Sequence, residues 1–203
     1  MGTPAASVPS LQRLLTEGHD VAAVYTQPDR PSGRGNKIKF SPVKQFAIDN
    51  GLSVLQPFKV RTAEALAEFK SLKADAAVVV AYGRILPETF LGAFPNGAIN
   101  VHFSLLPKYR GAAPVNWAIV NGETQTGVTT MRMDAGLDTG PILLQRATDI
   151  GADETAIELL ERLASFGADL LSETLLRLHE IEPRQQDHAA ASLAPLMTRD
   201  DGL

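Results

Sequence analysis

Apolar and polar positions along this chain switch repeatedly between the spacing of a helix and that of a strand. VPSLQRLLTEG (8–18) carries a helical pattern that stops at Gly18, and DVAAVYT (20–26) follows as a strand. SPVKQFAIDNG (41–51) predicts a helix closed by Asn50 and Gly51, LSVLQ (52–56) a short strand, and TAEALAEFKSLK (62–73) an amphipathic helix. ADAAVVVAYG (74–83) is apolar almost throughout, as expected of a central parallel strand covered on both faces. It leads through RILPETFLGAF into NGAINVH (96–102), the next strand, and GVTTMRM and PILLQRATDI predict two more. Asp153 is expected to cap a long helix whose Ile157, Leu160, Leu163 and Leu171 recur at helical spacing. From Pro183 the chain turns polar and is expected to be extended. Strand runs alternating with helix runs predict an α/β fold with an open, mostly parallel sheet and helices on both faces.

Composition narrows the class. With 203 residues and 44% hydrophobic content the chain can bury one full-sized core, and 21% charged residues suit a soluble chain. The formal net charge of -4 gives no overall field favouring nucleic acid or an anionic membrane, so a polyanionic partner would need a local patch. The absence of cysteine removes disulfides, thiolate nucleophiles and thiolate metal sites, in keeping with a reducing cytoplasm. MGTPAASVPSLQ has neither a cationic leader nor an apolar export segment, and no stretch approaches the roughly 20 apolar residues of a membrane helix. Ala6 occupies the position where a myristoylation signal needs Ser or Thr.

Open parallel sheets bind ligands beyond the carboxyl ends of their strands, so the residues just after the apolar runs are the candidates for chemistry. Asn100 and His102 stand two apart at such an end. In a strand they project to one side, roughly 6.6 Å apart along the chain, while Ile99 and Val101 face the other. MDAGLDTGPIL (133–143) adds Asp134 and Asp138 in a glycine-rich loop, and VVVAYGRILP adds a further strand-to-loop junction. An amide, an imidazole and a carboxylate suit general acid/base work with stabilisation of an oxyanion. The same residues, taken alone, also fit a hydrogen-bonded core histidine, a turn-starting asparagine and turn aspartates. No HExxH or paired-histidine spacing suggests a metal.

A basic run occupies residues 27–44, where Arg30, Arg34, Lys37, Lys39 and Lys44 face Asp29 alone, a local balance of +4. Pro28, Pro31, Gly33 and Gly35 break it, predicting an extended, mobile loop rather than a helix face. GRGNKI lacks the third glycine of a dinucleotide fingerprint and the ending of a P-loop. Trp117, Tyr109 and Tyr82 fit either ligand stacking or packing.

Three blocks carry a resemblance. GTPAASVPSLQRLL resembles the opening GTPxFAxxxLxxLL of the methionyl-tRNA formyltransferases, with Ala6 in place of phenylalanine and Ser7 in place of alanine. QPDRPSGRGNK resembles that family's basic loop. NVHFSLLPKYRGAAPVNWAI with MDAGLDTGPIL resembles the active-site signature of the wider folate-dependent formyltransferases. The resemblance implies a Rossmann-like catalytic domain over 1–182 and a linker over 183–203 toward a C-terminal β-barrel that this chain lacks. It also implies an apolar strand before the GTP turn, expected to be missing here.

Carried over residue by residue, the resemblance makes Asn100, His102 and Asp138 the catalytic set. It assigns Ser104, Leu105, Leu106 and Pro107, with Tyr82, Gly83 and Ile85, to folate, and Arg30, Arg34, Lys37 and Lys39 to tRNA. The implied reaction moves a formyl group from 10-formyltetrahydrofolate to the α-amine of initiator methionyl-tRNA, in a cytoplasmic monomer without metal. A sugar-nucleotide amine formyltransferase shares part of the signature. A folate-binding module without turnover is the other alternative.

Overall fold

Met1 and Gly2 run between two strands of the first half of the chain. The Met1 nitrogen donates to the Val78 carbonyl at 2.7 Å, Val80 N–H donates to the Met1 carbonyl at 2.9 Å, and Gly2 N–H donates to the Tyr25 carbonyl at 2.9 Å. Gly2 pairs in parallel with Val80. The sheet position expected to lack its strand is therefore filled, over these two residues, by the chain's own first residues. A side chain at Gly2 would lie 2.7 Å from Ser7 Cβ and 2.8 Å from the Val80 carbonyl, so glycine alone fits.

The structure, a computed structural model, describes residues 1–32, 37–198 and 201, and the chain divides into two compact units, residues 1–99 and 100–203. In the first, β1 (Val24–Tyr25) pairs in parallel with β4 (Val54–Leu55). Helix α1 (Val8–Thr16) and helix α2 (Pro42–Asp49) pack on β1 through Leu11, Val24, Val43 and Ala47. Ser41 caps α2 by accepting from Lys44 N–H at 3.2 Å, and Thr62 caps α3 (Ala63–Ser71) through Ala65 N–H at 3.2 Å. Phe69 on α3 stacks on Phe90 of α4 (Glu88–Leu91) with ring centres 4.6 Å apart and meets Tyr25 edge-on at 5.4 Å. The apolar run at 74–83 yields β5 (Ala77–Val79), which lies beside the start of β6 (Ala98–His102).

Two flanking pieces of the basic run are paired, whereas residues 33–36 of the expected loop lie outside the described residues. Arg30–Ser32 (β2) and Lys37–Lys39 (β3) form an antiparallel pair in which Arg30 stands opposite Lys39. Pro31 is tolerated because a two-stranded ribbon has only edges.

In the second unit β6 continues beside β7 (Gln125–Arg132), which pairs antiparallel with β8 (Ile142–Asp149), so the sheet is mixed rather than uniformly parallel. A short helix the apolar pattern does not announce, α5 (Pro114–Val120), precedes β7. Helix α6 (Ala156–Leu176) covers the strands. Its cap is Thr155 rather than Asp153: the Thr155 side chain accepts from Glu158 N–H while the Glu158 carboxylate accepts from Thr155 N–H, a reciprocal capping box. Its buried stripe is Leu159, Leu163, Leu170 and Leu171, whereas Ile157 is 73% exposed. At Gly167 a Cβ would come within 2.9 Å of Val101 Cγ1 and 3.3 Å of Val128 Cγ1, so the missing side chain lets the helix sit directly on β6 and β7.

Up to Thr198 the polar segment after Pro183 is extended, as expected, apart from one 3-10 turn at His188–Ala190, and it is tightly held. Arg184 and Ile142 exchange two backbone hydrogen bonds at 2.8 Å, and Leu193 pairs in parallel with Arg110. Ala194 is fully buried.

Candidate active site

Strand β6 ends in Asn100 and His102, both buried, at 8% and 6% exposure. The loop after β7 brings Asp138 to them. Asp138 Oδ2 lies 3.6 Å from His102 Nδ1 and accepts from Gly111 N–H at 2.9 Å, while Oδ1 accepts from Asn100 Nδ2 at 3.4 Å. All three residues of the expected catalytic set thus meet within the second unit. Asp138 pays for this with a left-handed backbone, φ 51°, which costs a residue with a side chain roughly 1–2 kcal/mol and persists only where neighbours enforce it. Asp134, the other loop carboxylate, is a turn residue. Its Oδ1 accepts from Gly136 N–H at 3.0 Å and Thr139 Oγ1 at 2.7 Å.

The imidazole is oriented from its far side. Nε2 of His102 lies 2.8 Å from the Tyr109 carbonyl oxygen. A carbonyl only accepts, so Nε2 carries a hydrogen and Nδ1 is the ring atom that faces the carboxylate. Tyr109 is itself fixed by its hydroxyl, which donates to Glu123 at 2.6 Å and accepts from Asn121 at 3.1 Å. The hydrogen bond from Tyr109 holds the Glu123 carboxyl below its usual range, and burial pushes the Tyr109 phenol above its own. A carboxylate, a fixed imidazole and an amide converging on one spot can move a proton and stabilise a developing oxyanion.

The residues expected at folate fall in two places. In the second unit Ser104 is fully buried, its hydroxyl donating to the Lys108 carbonyl at 2.6 Å and its carbonyl accepting from Thr129 Oγ1 at 2.7 Å. Leu106 packs with Met131 and Ile142. Leu105 and Pro107 are half-buried in the same turn. In the first unit Tyr82 is buried, with its phenol pushed upward by burial and without a hydroxyl partner among the described residues. The Tyr82 and Gly83 carbonyls both accept from Gln27 Nε2, at 3.1 and 2.9 Å, and Ile85 is 71% exposed.

Of the expected tRNA contacts, Arg30 and Lys39 are exposed on the hairpin and border a cleft of about 620 Å³ with Gln27, Ser41, Gly83 and Arg84. Lys37 lies on β3, and Arg34 lies outside the described residues. Lys44 is not part of this exposed charge. Its ammonium donates to Asp29 and to Gln56, the latter at 2.8 Å, and sits 4.1 Å above the Phe40 ring. That bond holds the Asp29 carboxyl below its usual range.

Tyr109 is buried, whereas Trp117 is half-buried, its indole N–H donating to the Pro195 carbonyl at 2.8 Å. Three contributors escape sequence reasoning: the Tyr109 carbonyl, the Gly111 amide and Gln186. The first two are backbone groups in YRGAAP, where Gly111 at φ 121° is the only visible hint. Gln186 sits in a polar stretch without periodicity.

An open α/β unit whose strand end presents N-x-H to a loop carboxylate can support acid/base chemistry on a ligand held beyond the strand ends. The pattern of the Formyl transferase family matches residues 1–175, and the chain belongs to that family. It is 55% identical over 204 residues to the methionyl-tRNA formyltransferase of Solibacter usitatus, covering 100% of this chain and 66% of that one. The chain thus spans about two thirds of the length of such relatives. Among solved structures, the N-formyltransferase of Helicobacter canadensis, in complex with folinic acid and dTDP-3-aminofucose, is 26% identical with a TM-score of 0.72 over 98% of this chain and 70% of its own. Glycinamide ribonucleotide transformylase 1 of Symbiobacterium toebii shares the fold, with 22% identity and a TM-score of 0.73 over 92% of each chain.

Proposed function

We propose that this chain transfers the formyl group of 10-formyltetrahydrofolate to the α-amine of initiator methionyl-tRNA, a step of translation initiation in the cytoplasm. The observation that carries the reading is the meeting of Asn100, His102 and Asp138 at the end of β6. Formyl transfer forms a bond from the amine nitrogen to the formyl carbon, breaks the bond from that carbon to N10 of the folate, and moves one proton from the amine to N10. The Asn100 amide donates to the oxygen that becomes negative in the tetrahedral species, a role worth on the order of 10²–10³ in rate. His102 Nδ1 takes the amine proton and returns it to N10, with Asp138 stabilising the transient imidazolium. These steps use acid/base groups and hydrogen-bond donors and no metal.

The tRNA assignment is supported by the name carried by relatives at about half identity and by the exposed cations of the β2–β3 hairpin. For folate we propose Leu105 and Pro107 in the second unit and, separately, Gly83 and Ile85 in the first. Residues 1–182 form the proposed catalytic domain, 184–195 pack onto it, and the residues beyond lead toward a proposed C-terminal β-barrel.

The test is formyl transfer by the purified chain from 10-formyltetrahydrofolate to methionyl-tRNA and, in parallel, to a dTDP-linked amino sugar, with folate binding measured separately. Transfer to methionyl-tRNA, abolished in His102→Ala, is expected. Transfer to the amino sugar alone would replace the reading with the sugar-amine one, and folate binding without transfer to either amine would leave only a binding module.

A further inference from the structure

Gln186 is 4% exposed although it lies in the polar segment beyond the last helix. Every polar atom of its side chain is engaged. Nε2 donates to the carbonyls of Asp138 at 2.9 Å and Gly140 at 2.7 Å, and Oε1 accepts from Arg110 Nε at 3.1 Å and Nη2 at 2.7 Å. One amide thus joins the loop that carries Asp138 to the loop that carries Tyr109 and Gly111. Arg110 Nη2 also reaches His188 Nδ1 at 3.2 Å, so the buried guanidinium is held by two residues of the same segment.

The rest of the segment grips the other side of that junction. Arg110 N–H donates to the Ser192 carbonyl at 2.8 Å, Ala194 N–H to the Arg110 carbonyl at 2.7 Å, and Ala113 N–H to the Ala194 carbonyl at 3.1 Å. Tyr109 N–H donates to Ser192 Oγ at 2.9 Å. These bonds fix residues 109–113, whose Tyr109 carbonyl orients His102 and whose Gly111 amide binds Asp138. A side chain at Gly111 would lie 2.7 Å from the Ala194 carbonyl, so the segment and this loop are fitted at backbone distance.

We infer that residues 184–195 form a strap that sets the geometry of the acid/base site, with Gln186 as its positioning residue. Asp138 is strained, and its left-handed backbone needs enforcement from both ends. Gly111 and Asn100 hold the carboxylate, while Gln186 holds the Asp138 carbonyl. Releasing the carbonyl lets the residue relax toward an ordinary φ, which swings the carboxylate away from Nδ1 and from the Gly111 amide. Gln186 touches no reacting atom and acts through Asp138. The expected effect on turnover rests on the formyl-transfer reading; the expected effect on the loop does not.

The test compares the wild-type chain with Gln186→Ala and Gln186→Glu. The glutamate variant keeps an acceptor for Arg110 and loses the donor to the two carbonyls, which separates the strap's hold on the loop from simple filling of the core. Amide hydrogen exchange is read at Gly111 and at the core amides of β7 and α6, alongside kcat and KM for formyl transfer. Protection at Gly111 is expected to fall at least about tenfold in both variants while the core amides keep theirs. A kcat lowered about tenfold or more with little change in KM is expected to accompany it. Unchanged Gly111 protection, or protection lost equally at Gly111 and throughout the core, would overturn the inference. A wild-type chain without formyl transfer would count against the proposed reaction only, because the exchange measurement still judges the strap.

Discussion

His102 donates from Nε2 to the Tyr109 carbonyl at 2.8 Å, which leaves Nδ1, 3.6 Å from Asp138 Oδ2, as the ring atom proposed to exchange a proton with substrate. His102→Ala removes that atom. Asp138→Asn keeps an oxygen for the Gly111 amide and removes the charge proposed to steady an imidazolium. Each substitution is expected to lower kcat/KM by about two orders of magnitude while folate affinity persists. Steady-state formylation with a parallel folate titration checks this, and near-normal turnover in either variant would remove that residue from the chemistry.

Gly167→Ala tests how closely the site's strand is backed. The added methyl meets Val101 Cγ1 at 2.9 Å, on the residue between Asn100 and His102. Helix propensity alone favours alanine by up to about 1 kcal/mol, whereas overpacking costs typically 1–3 kcal/mol, so a net loss of stability is expected. A chemical denaturation series measures it. An unchanged or raised midpoint would mean that the helix moves away freely.

Arg162 ties the start of α6 to the end of β8. Its guanidinium holds both oxygens of Glu154, each at 2.8 Å, and donates to Thr148 Oγ1 and the Asp149 carbonyl. The Arg162 hydrogen bonds, followed by the Gly151 amide, hold the Glu154 carboxyl at about 2 against an ordinary 4.5. A folded value below the unfolded one stabilises above the unfolded pKa, and that contribution is lost as pH falls through about 4.5 toward 2. Melting temperatures of wild type and Glu154→Gln should therefore differ most near neutrality and converge toward pH 2. A gap independent of pH would show that the carboxylate's charge plays no part.

Arg30 and Lys39 face each other across the hairpin. Like charges directly opposite are unfavourable in a strand pair, and a bound polyanion would relieve them. Arg30→Ala is expected to weaken tRNA binding and to make its log-log salt dependence shallower by up to about one unit, with folate affinity unchanged. Binding across a salt series decides it, since an unaltered slope would make the hairpin an ordinary solvated face.

The sequence is a good guide wherever a side chain acts through its own position. Period-two projection at a strand end puts Asn100 and His102 on one side without further information, and the formyltransferase resemblance adds Asp138. The sequence is a poorer guide wherever a backbone group or a non-periodic residue does the work. Nothing in YRGAAP says which carbonyl will face an imidazole, because that depends on Tyr109 adopting φ 61°. The cap of α6 is a different case: Thr155 with Glu158 three residues later carries the capping-box signature, and it outranks the nearby Asp153. The pairing of Arg30–Ser32 with Lys37–Lys39 is hidden by Pro28 and Pro31, because proline marks loops in most settings but also suits an edge of a two-stranded ribbon.

The fully buried Ala194 has a practical consequence for how this protein is cut. The shared family pattern ends at residue 175, one position before the end of α6, and an expression boundary taken from that pattern falls there. Such a fragment would strip the partners from the Arg110 guanidinium and uncover the Asp138 and Gly140 carbonyls. Recombinant pieces, chimaeras and domain exchanges made from this chain should therefore be joined after Pro195, whose carbonyl still receives the Trp117 indole.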